Sequence, residues 1–245
     1  AADPHLGLTA PTIWYLARLE LSTGGVIGGT LPGVPAVIVG RSNQLGWGLT
    51  TTGLDDQDLV IEKLNPENPE EYALPDGSWA TFESRQTIVT VKDAEPVTLT
   101  LRWSRNGPIL SANQFDVGAI TPGGHVAALA WTALDGADTS MTSALRLMRA
   151  GTVAQAIEAT KAHVAPAQNL VLAGPDGIAL QVIGRLPGRD VKHPSQGRMP
   201  APGRMAETGF KTPIPFEKNP GVLNPPSGIL GNTNNKTVDR PFPEH

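Results

Sequence analysis

The 245-residue chain contains no cysteine, which excludes disulfide bonds, thiol chemistry and zinc sites built on cysteine. It has no basic cluster and a formal net charge of -4, so nucleic acid is not an expected partner. No apolar run reaches about 18 residues, so no membrane-spanning helix is predicted. The five histidines are scattered without metal-ligand spacing. These absences argue against thiol catalysis, nucleic-acid binding and a membrane-spanning function.

Two common catalytic motifs are also missing. No Gly-x-Ser-x-Gly elbow occurs, so the triad of the α/β-hydrolases has no support. The glycine-rich stretch 24–33 lacks the Gly-Lys-Ser/Thr ending of a phosphate-binding loop. We therefore predict that 24–33 is a turn.

The composition instead indicates a turn-rich globular protein. The chain holds 27 glycines and 23 prolines, more than average, which favours many turns between short strands over long helices. The apolar content of 40% is ordinary for a soluble protein, and the length suits a sizeable core.

Hydrophobic periodicity predicts antiparallel strands with a helical pair inserted before the last hairpin. Because the strand runs and helix runs segregate along the chain, the predicted fold class is α+β. We predict an irregular, proline-rich segment over 185–228. The predicted strands are 34–40, 45–53, 59–64, 88–92, 97–103, 125–134 and a hairpin over 169–184, and 88–92 and 97–103 are expected to form a hairpin with one face solvated and the other buried. The predicted helices are 139–151 and 152–163, the second starting with a Thr-x-x-Gln capping box.

Two polar clusters each allow two interpretations. The acidic turn at 55–58 contains Asp55, Asp56 and Asp58, which suits either a solvated turn or a calcium site, although it is not an EF-hand. The asparagine cluster at 232–235 suits either a turn or an oxyanion donor, since an amide NH₂ can stabilise a developing negative charge. From the residues alone, the turn is favoured in both places.

Six stretches in order resemble the penicillin acylase family of N-terminal nucleophile (Ntn) amidohydrolases. Each motif alone is weak, but the six together span nearly the whole chain. They are DPHLGLTAPTIWYLARL (3–19), GGTLPGVPAVIVGRSNQLGWGLT (28–50), DDQDLVIEKL (55–64), RNGPIL (105–110), AQNLVLAGPDGIALQVIGRLPGR (167–189) and GNTNNK (231–236).

The resemblance implies an α+β fold, the Ntn-hydrolase αββα sandwich of antiparallel sheets, here as a partial domain. Residues 1–245 are expected to form a single domain, the central fragment of a catalytic β subunit that lacks its N-terminal nucleophile and its C-terminal part. In the family, a serine freed at a chain N-terminus attacks an amide carbonyl, and its own α-amine is the base. No cofactor is required for this chemistry.

Site residues follow from the resemblance by position. Asn234 would donate its side chain to the oxyanion, Thr51 would donate its backbone N–H, and His5 would support the nucleophile and its amine. Leu6, Val39 and Leu49 would line an apolar acyl pocket. A structural Ca²⁺ would bind Asp55, the carbonyl of Gln57, and Asp58.

The chain departs from the family pattern because no Ser-Asn pair occurs about twenty residues before His5. We therefore expect that the chain alone is inactive and that its partners are the α subunit, the rest of the β subunit and a small acyl amide. The expected substrate is a β-lactam side chain, an N-acyl homoserine lactone or an acyl peptide, and the implied location is the periplasm. The alternative is a non-catalytic, β-rich binding or structural domain on a related scaffold.

Overall fold

A computed structural model describes residues 6–22 and 24–237, and His5 therefore lies outside the described residues. These residues form two compact units of interleaved segments. The first unit comprises the segments up to Leu54, from Asp135 to Leu186 and from Ile214 onward, and the second comprises Asp55–Leu134 and Pro187–Pro213. No helix in these ranges is long and apolar enough to cross a membrane.

The described residues contain fifteen strands and three α-helices, with short 3-10 turns between them. The strands are β1 (Tyr15–Leu21), β2 (Gly24–Thr30), β3 (Val39–Arg41), β4 (Gly46–Thr51), β5 (Gln57–Lys63), β6 (Glu71–Ala73), β7 (Trp79–Thr81), β8 (Glu83–Val89), β9 (Val97–Ser104), β10 (Gly107–Pro108), β11 (His125–Trp131), β12 (Gln168–Gly174), β13 (Gly177–Ile183), β14 (Ala201–Pro202) and β15 (Gly221–Leu223). The helices are α1 (Ala112–Phe115), α2 (Ser140–Leu147) and α3 (Val153–Thr160).

The first unit is a seven-stranded sheet with a helical layer on one face. Its strand order is β1-β2-β3-β4-β12-β13-β15, and every neighbouring pair is antiparallel. Helices α2 and α3 pack against each other, and α3 packs on β12 and β13. The core between these layers includes Trp47, Val153, Leu170 and Leu172, which are all nearly inaccessible to solvent. Burial of such side chains stabilises the unit by about 1.5–3 kcal/mol each.

Helix α3 begins at the residues that the capping box predicts. The Thr152 hydroxyl accepts a hydrogen bond from Gln155 N at 3.2 Å, and the Gln155 side chain in return accepts one from Gly151 N at 2.9 Å. Asp176, in the turn between β12 and β13, accepts two further bonds, from the N–H groups of Val153 and Ala154. Four otherwise unpaired backbone donors are thereby satisfied at this helix start.

The second unit consists of three small sheets. Strand β5 pairs with β11 in antiparallel and with β14 in parallel register, β8 and β9 form a hairpin that β10 extends, and β6 pairs with β7. Along β5, Asp58, Val60 and Glu62 are buried, whereas Gln57 and Lys63 are exposed. Alternation of this kind places two carboxyl groups on the buried face of one strand.

Several sequence predictions are wrong in detail. The glycine-rich stretch 24–33 is mostly strand β2 and not a turn, because Gly28 lies so close to Gly40 and to the Val39 carbonyl on β3 that no side chain would fit. Of the predicted strand 34–40, only residues 39 and 40 lie in a sheet strand, β3, which ends at Arg41. The hairpin of β8 and β9 is exposed on both faces along most of its length, although one buried face was expected.

Candidate active site

The C-terminal end of β4 lies beside a buried asparagine on β12. In the antiparallel pairing of β4 with β12, Thr50 lies opposite Asn169, and Asn169 is fully buried. The Asn169 amide nitrogen donates to Thr50 Oγ1 at 3.3 Å and to the Thr51 carbonyl oxygen at 3.2 Å. Its Oδ1 accepts a hydrogen bond from Thr237 Oγ1 at 2.9 Å. Both amide protons and the amide oxygen of Asn169 are therefore used.

The asparagine cluster forms a tight turn that is tied to the same strand. Asn232 Oδ1 accepts from Thr50 Oγ1 at 3.0 Å and from the backbone N–H of Asn234 at 2.8 Å. Asn234 has a φ of 63°, a left-handed conformation that asparagine tolerates better than most residues. Its side chain is exposed and donates no hydrogen bond to any residue in the described ranges. The amide of Asn234 is thus free to act as a donor towards a substrate.

These bonds link the two segments of the chain that carry the predicted oxyanion donors. Thr51 is at the end of β4 and its carbonyl is held by Asn169, while Asn234 is held to the preceding residue, Thr50, through Asn232. Thr50 and Asn232 are 182 positions apart in the chain, so only the fold places them in contact. The bonds hold the backbone on the two sides, the Thr51 carbonyl and the Asn234 N–H, while the Asn234 side chain stays exposed.

The three predicted pocket residues are not all on one surface. Val39 lies on the face that carries Gly29 and Trp14, since a side chain at Gly29 would contact both of them. Leu49 points to the opposite face and packs against the helical core. Leu6 is 46% exposed.

An arginine occupies the middle of the acidic turn in the second unit. Arg189 Nε lies 3.0 Å from Asp58 Oδ2, and Arg189 Nη2 lies 2.6 Å from Asp58 Oδ1. The same Nη2 donates to the Asp55 carbonyl oxygen at 3.2 Å and lies 3.4 Å from Asp55 Oδ1. The side chains of Asp58 and Arg189 are only 3% and 11% exposed, so this is a buried ion pair. The Arg189 guanidinium also stands over the Phe210 ring, at 5.6 Å from its centroid.

This arrangement does not fit a calcium ion. Calcium needs carboxylate and carbonyl oxygens that are free to coordinate it. Arg189 already binds both carboxylate oxygens of Asp58 and the backbone carbonyl of Asp55, and Gln57 is an exposed residue of β5. Within residues 6–22 and 24–237, no three His, Asp or Glu side chains lie close enough together to hold a metal. We assign no role to a metal. The calcium site remains a prediction, which direct metal analysis of the protein would test.

Two titrating groups next to this ion pair have shifted pKa values. Burial raises the pKa of Asp55, and the nearby Arg189 charge opposes that rise. Burial lowers the pKa of His193, whose Nε2 is 3.9 Å from Asp58 Oδ2, and the Asp58 charge offsets part of the effect. His193 Nδ1 accepts from two backbone N–H groups, those of Ser195 and Gln196, which fixes the proton of the neutral ring on Nε2.

Two polar residues at these sites were not singled out from the sequence. Asn169 is the one strongly polar side chain in the apolar run NLVLAG, and a buried polar residue of that kind needs hydrogen-bond partners. Arg189 ends the stretch GRLPGR, which carried part of the family resemblance without a role. The pairing of each with residues more than a hundred positions away could not be deduced from spacing.

Comparison with known proteins identifies the class first. The structure resembles a thermostable penicillin G acylase from Alcaligenes faecalis, with a TM-score of 0.82 and 25% identity over 96% of this chain and 41% of that one. The chain thus has the α+β fold of the Ntn hydrolases, as the sequence predicts, and the described part contributes the seven-stranded sheet and its helical layer.

The chain belongs to the penicillin amidase family, whose model matches residues 1–245. It is 31% identical to the acyl-homoserine lactone acylase QuiP of Pseudomonas aeruginosa, over 97% of this chain and 28% of that protein. It is 30% identical to the penicillin G acylase of Escherichia coli, over 95% of this chain and 26% of that protein. The chain therefore spans little more than a quarter of the length of these relatives.

Proposed function

We propose that this chain is part of an amidohydrolase that cleaves the amide bond of an acylated substrate. The nucleophile in this proposal is an N-terminal serine outside the chain. The observation that supports it most is the link between the segments of Thr51 and Asn234, which runs through Thr50 and Asn232 by bonds of 3.0 and 2.8 Å. Two amide donors that meet the same oxygen would stabilise the tetrahedral intermediate of acyl transfer.

The proposed reaction has two halves. The serine Oγ attacks the carbonyl carbon while the serine α-amine, with an ordinary pKa near 8, takes the hydroxyl proton. The carbonyl oxygen becomes an oxyanion that accepts hydrogen bonds from Thr51 N and Asn234 Nδ2. The intermediate collapses, the C–N bond breaks and the proton passes to the leaving amine. Water then attacks the acyl ester by the same route and releases the acid and the free serine.

The proposed substrate has an apolar acyl group. The support is the resemblance, in which the aliphatic Leu6 and Val39 match acyl-pocket positions, whereas Leu49 packs against the helical core. Aliphatic lining favours a linear fatty acyl chain, as in an N-acyl homoserine lactone, over a charged group. Cleavage of such a lactone amide would quench quorum signalling, whereas cleavage of a β-lactam side chain would bear on antibiotic resistance. Comparing hydrolysis rates of acyl-homoserine lactones with those of penicillin G would separate these substrates.

The proposal implies partners and a location. The remaining α and β parts of the acylase would supply the nucleophile and complete the site, after cleavage of an inactive zymogen. An acyl peptide remains a third substrate class to assay. We also propose that the complete protein is exported to the periplasm, which fractionation of the source cells would test. The coding sequence before Ala1 distinguishes the enzyme from a binding domain, because only the enzyme needs a Ser-Asn pair about twenty residues before His5.

Asn234→Ala in the complete acylase tests the oxyanion assignment. We expect kcat to fall by about two to three orders of magnitude, the usual effect of removing one oxyanion donor. Asn224→Ala is the matched control, because Asn224 also has a positive φ but bonds to the turn between β12 and β13. If kcat is unchanged in Asn234→Ala, or falls equally in Asn224→Ala, the assignment of Asn234 as an oxyanion donor is refuted.

A further inference from the structure

Asn169 is connected by hydrogen bonds to both segments that carry the predicted oxyanion donors. Its amide nitrogen bonds the Thr51 carbonyl directly, and it bonds Thr50 Oγ1, which in turn donates to Asn232 Oδ1. That same Oδ1 receives the N–H of Asn234. The two donors come from distant parts of the chain, and Asn169 is one hydrogen bond from Thr51 and three from Asn234.

We propose that Asn169 and Thr50 are positioning residues that set the distance between the two oxyanion donors. This inference rests on the proposed function. Asn169 itself is fully buried and makes no contact with substrate in the proposed mechanism. It acts by holding the Thr51 carbonyl and the Thr50 hydroxyl, which lie on either side of the peptide group that carries the Thr51 N–H at the end of β4. Thr50 relays the constraint to the asparagine turn.

The geometry favours this role over a purely structural one. An asparagine buried in an apolar strand is costly unless its polar groups are paired, and a leucine would fill the place without that requirement. The three groups that Asn169 binds are a strand-end carbonyl, a strand hydroxyl and Thr237 Oγ1, all beside the asparagine turn and none in the helical core. Thr50 Oγ1 both accepts from Asn169 and donates to Asn232, so it links the two arms directly.

The test uses Asn169→Leu, Thr50→Val and Thr50→Ser in the complete acylase. We expect Asn169→Leu and Thr50→Val to lower kcat by about 10- to 100-fold with KM nearly unchanged, because a displaced donor costs transition-state binding and not substrate binding. Thr50→Ser retains the hydroxyl and should recover most of kcat. A structural role alone would lower thermal stability without this split between kcat and KM.

Asn219→Leu is the matched control. Asn219 is a buried asparagine of the same unit whose amide also donates twice, to the carbonyls of Val182 and Gly184, but it has no bond to the asparagine turn. Its loss should lower the melting temperature while changing kcat less than about 3-fold. An equal fall of kcat in Asn219→Leu would overturn the inference.

The remaining outcomes separate this inference from the proposed function. If Asn234→Ala lowers kcat while Asn169→Leu and Thr50→Val do not, the donors stand and the positioning role is refuted. If Asn169→Leu lowers kcat while Asn234→Ala does not, the donor assignment fails and with it the role given to Asn169. In the double variant of Asn169→Leu and Asn234→Ala, the losses should not multiply, because both act on one donor set. Multiplied losses would show that Asn169 acts independently, and would refute the connection.

Discussion

Removal of Arg189 is expected to destabilise the second unit strongly. Asp58 is 3% exposed, and Arg189→Leu would leave its carboxylate buried without the guanidinium that binds both oxygens. Breaking a buried pair by removing one partner costs about 3–5 kcal/mol. Asp58→Asn should cost less, about 2 kcal/mol, since Arg189 keeps the carbonyl and the more exposed carboxylate of Asp55. The double variant should cost no more than Arg189→Leu alone, so the coupling energy is about 2 kcal/mol.

Urea denaturation of the chain, followed by tryptophan fluorescence, measures these free energies of unfolding. Arg185→Leu is the matched control, because Arg185 pairs with Asp135 at a site where both side chains are about one third exposed. A surface pair of that kind contributes about 0–1 kcal/mol. Equal costs for Arg189→Leu and Arg185→Leu would refute the reasoning. The effect of a calcium chelator on unfolding gives a second readout. The urea midpoint of the wild-type chain should not change when a chelator is added. A shift of that midpoint would support the calcium site that the resemblance implies.

Two further predictions concern His193 and Gly28. Because burial lowers the pKa of His193, the unfolded chain binds more protons, and stability that is complete above about pH 6.5 falls as the pH drops below it. His193→Asn should lose less stability than wild type between about pH 7.5 and about pH 5.5 in thermal melts, and an identical loss would contradict the pKa argument. Gly28→Ala should cost about 3 kcal/mol, because its methyl group would overlap the Val39 carbonyl and the Gly40 backbone. Gly46→Ala, with its nearest atoms 3.9 Å away, should change stability little, and a comparable cost at both positions would rule out the steric explanation.

The sequence predicted the fold class and most elements with strong periodicity. Helix α3 was predicted because the Thr152–Gln155 capping box and the apolar face agree, and the hairpin of β12 and β13 because Pro175-Asp176-Gly177 separates two apolar arms. Strand β2 is not predicted, because its glycines allow the neighbouring strand β3 to approach closely. The local sequence pattern of such a glycine-rich strand is the same as that of a turn. The family resemblance predicts Thr51 and Asn234 as the oxyanion donors. It does not predict the hydrogen bonds through Asn169, Thr50 and Asn232 that connect their segments.

The buried polar contacts were beyond sequence reasoning for a physical reason. The acidic turn reads as a solvated or metal-binding loop until Arg189, more than a hundred residues away, is placed against Asp58. Likewise, Glu62 is part of an alternating strand, and only the structure shows that its carboxylate is fully buried and bonded by Asn106 at 2.8 Å. Contacts of this kind depend on which strands pair, and local composition carries little information about long-range pairing.

The pairing of β4 with β12 has a consequence for biosynthesis. Thr50 and Asn169 are 119 positions apart, and the whole second-unit segment up to β11 is translated between them. At about 5–20 residues per second, a ribosome needs about 10 s to supply the partner of β4. During that interval the edge of β4 has no β12 to pair with, and an unpaired strand edge can pair with other nascent chains. Yield in the cell should therefore depend on translation speed and on chaperones that shield this edge, even for variants whose finished fold is fully stable.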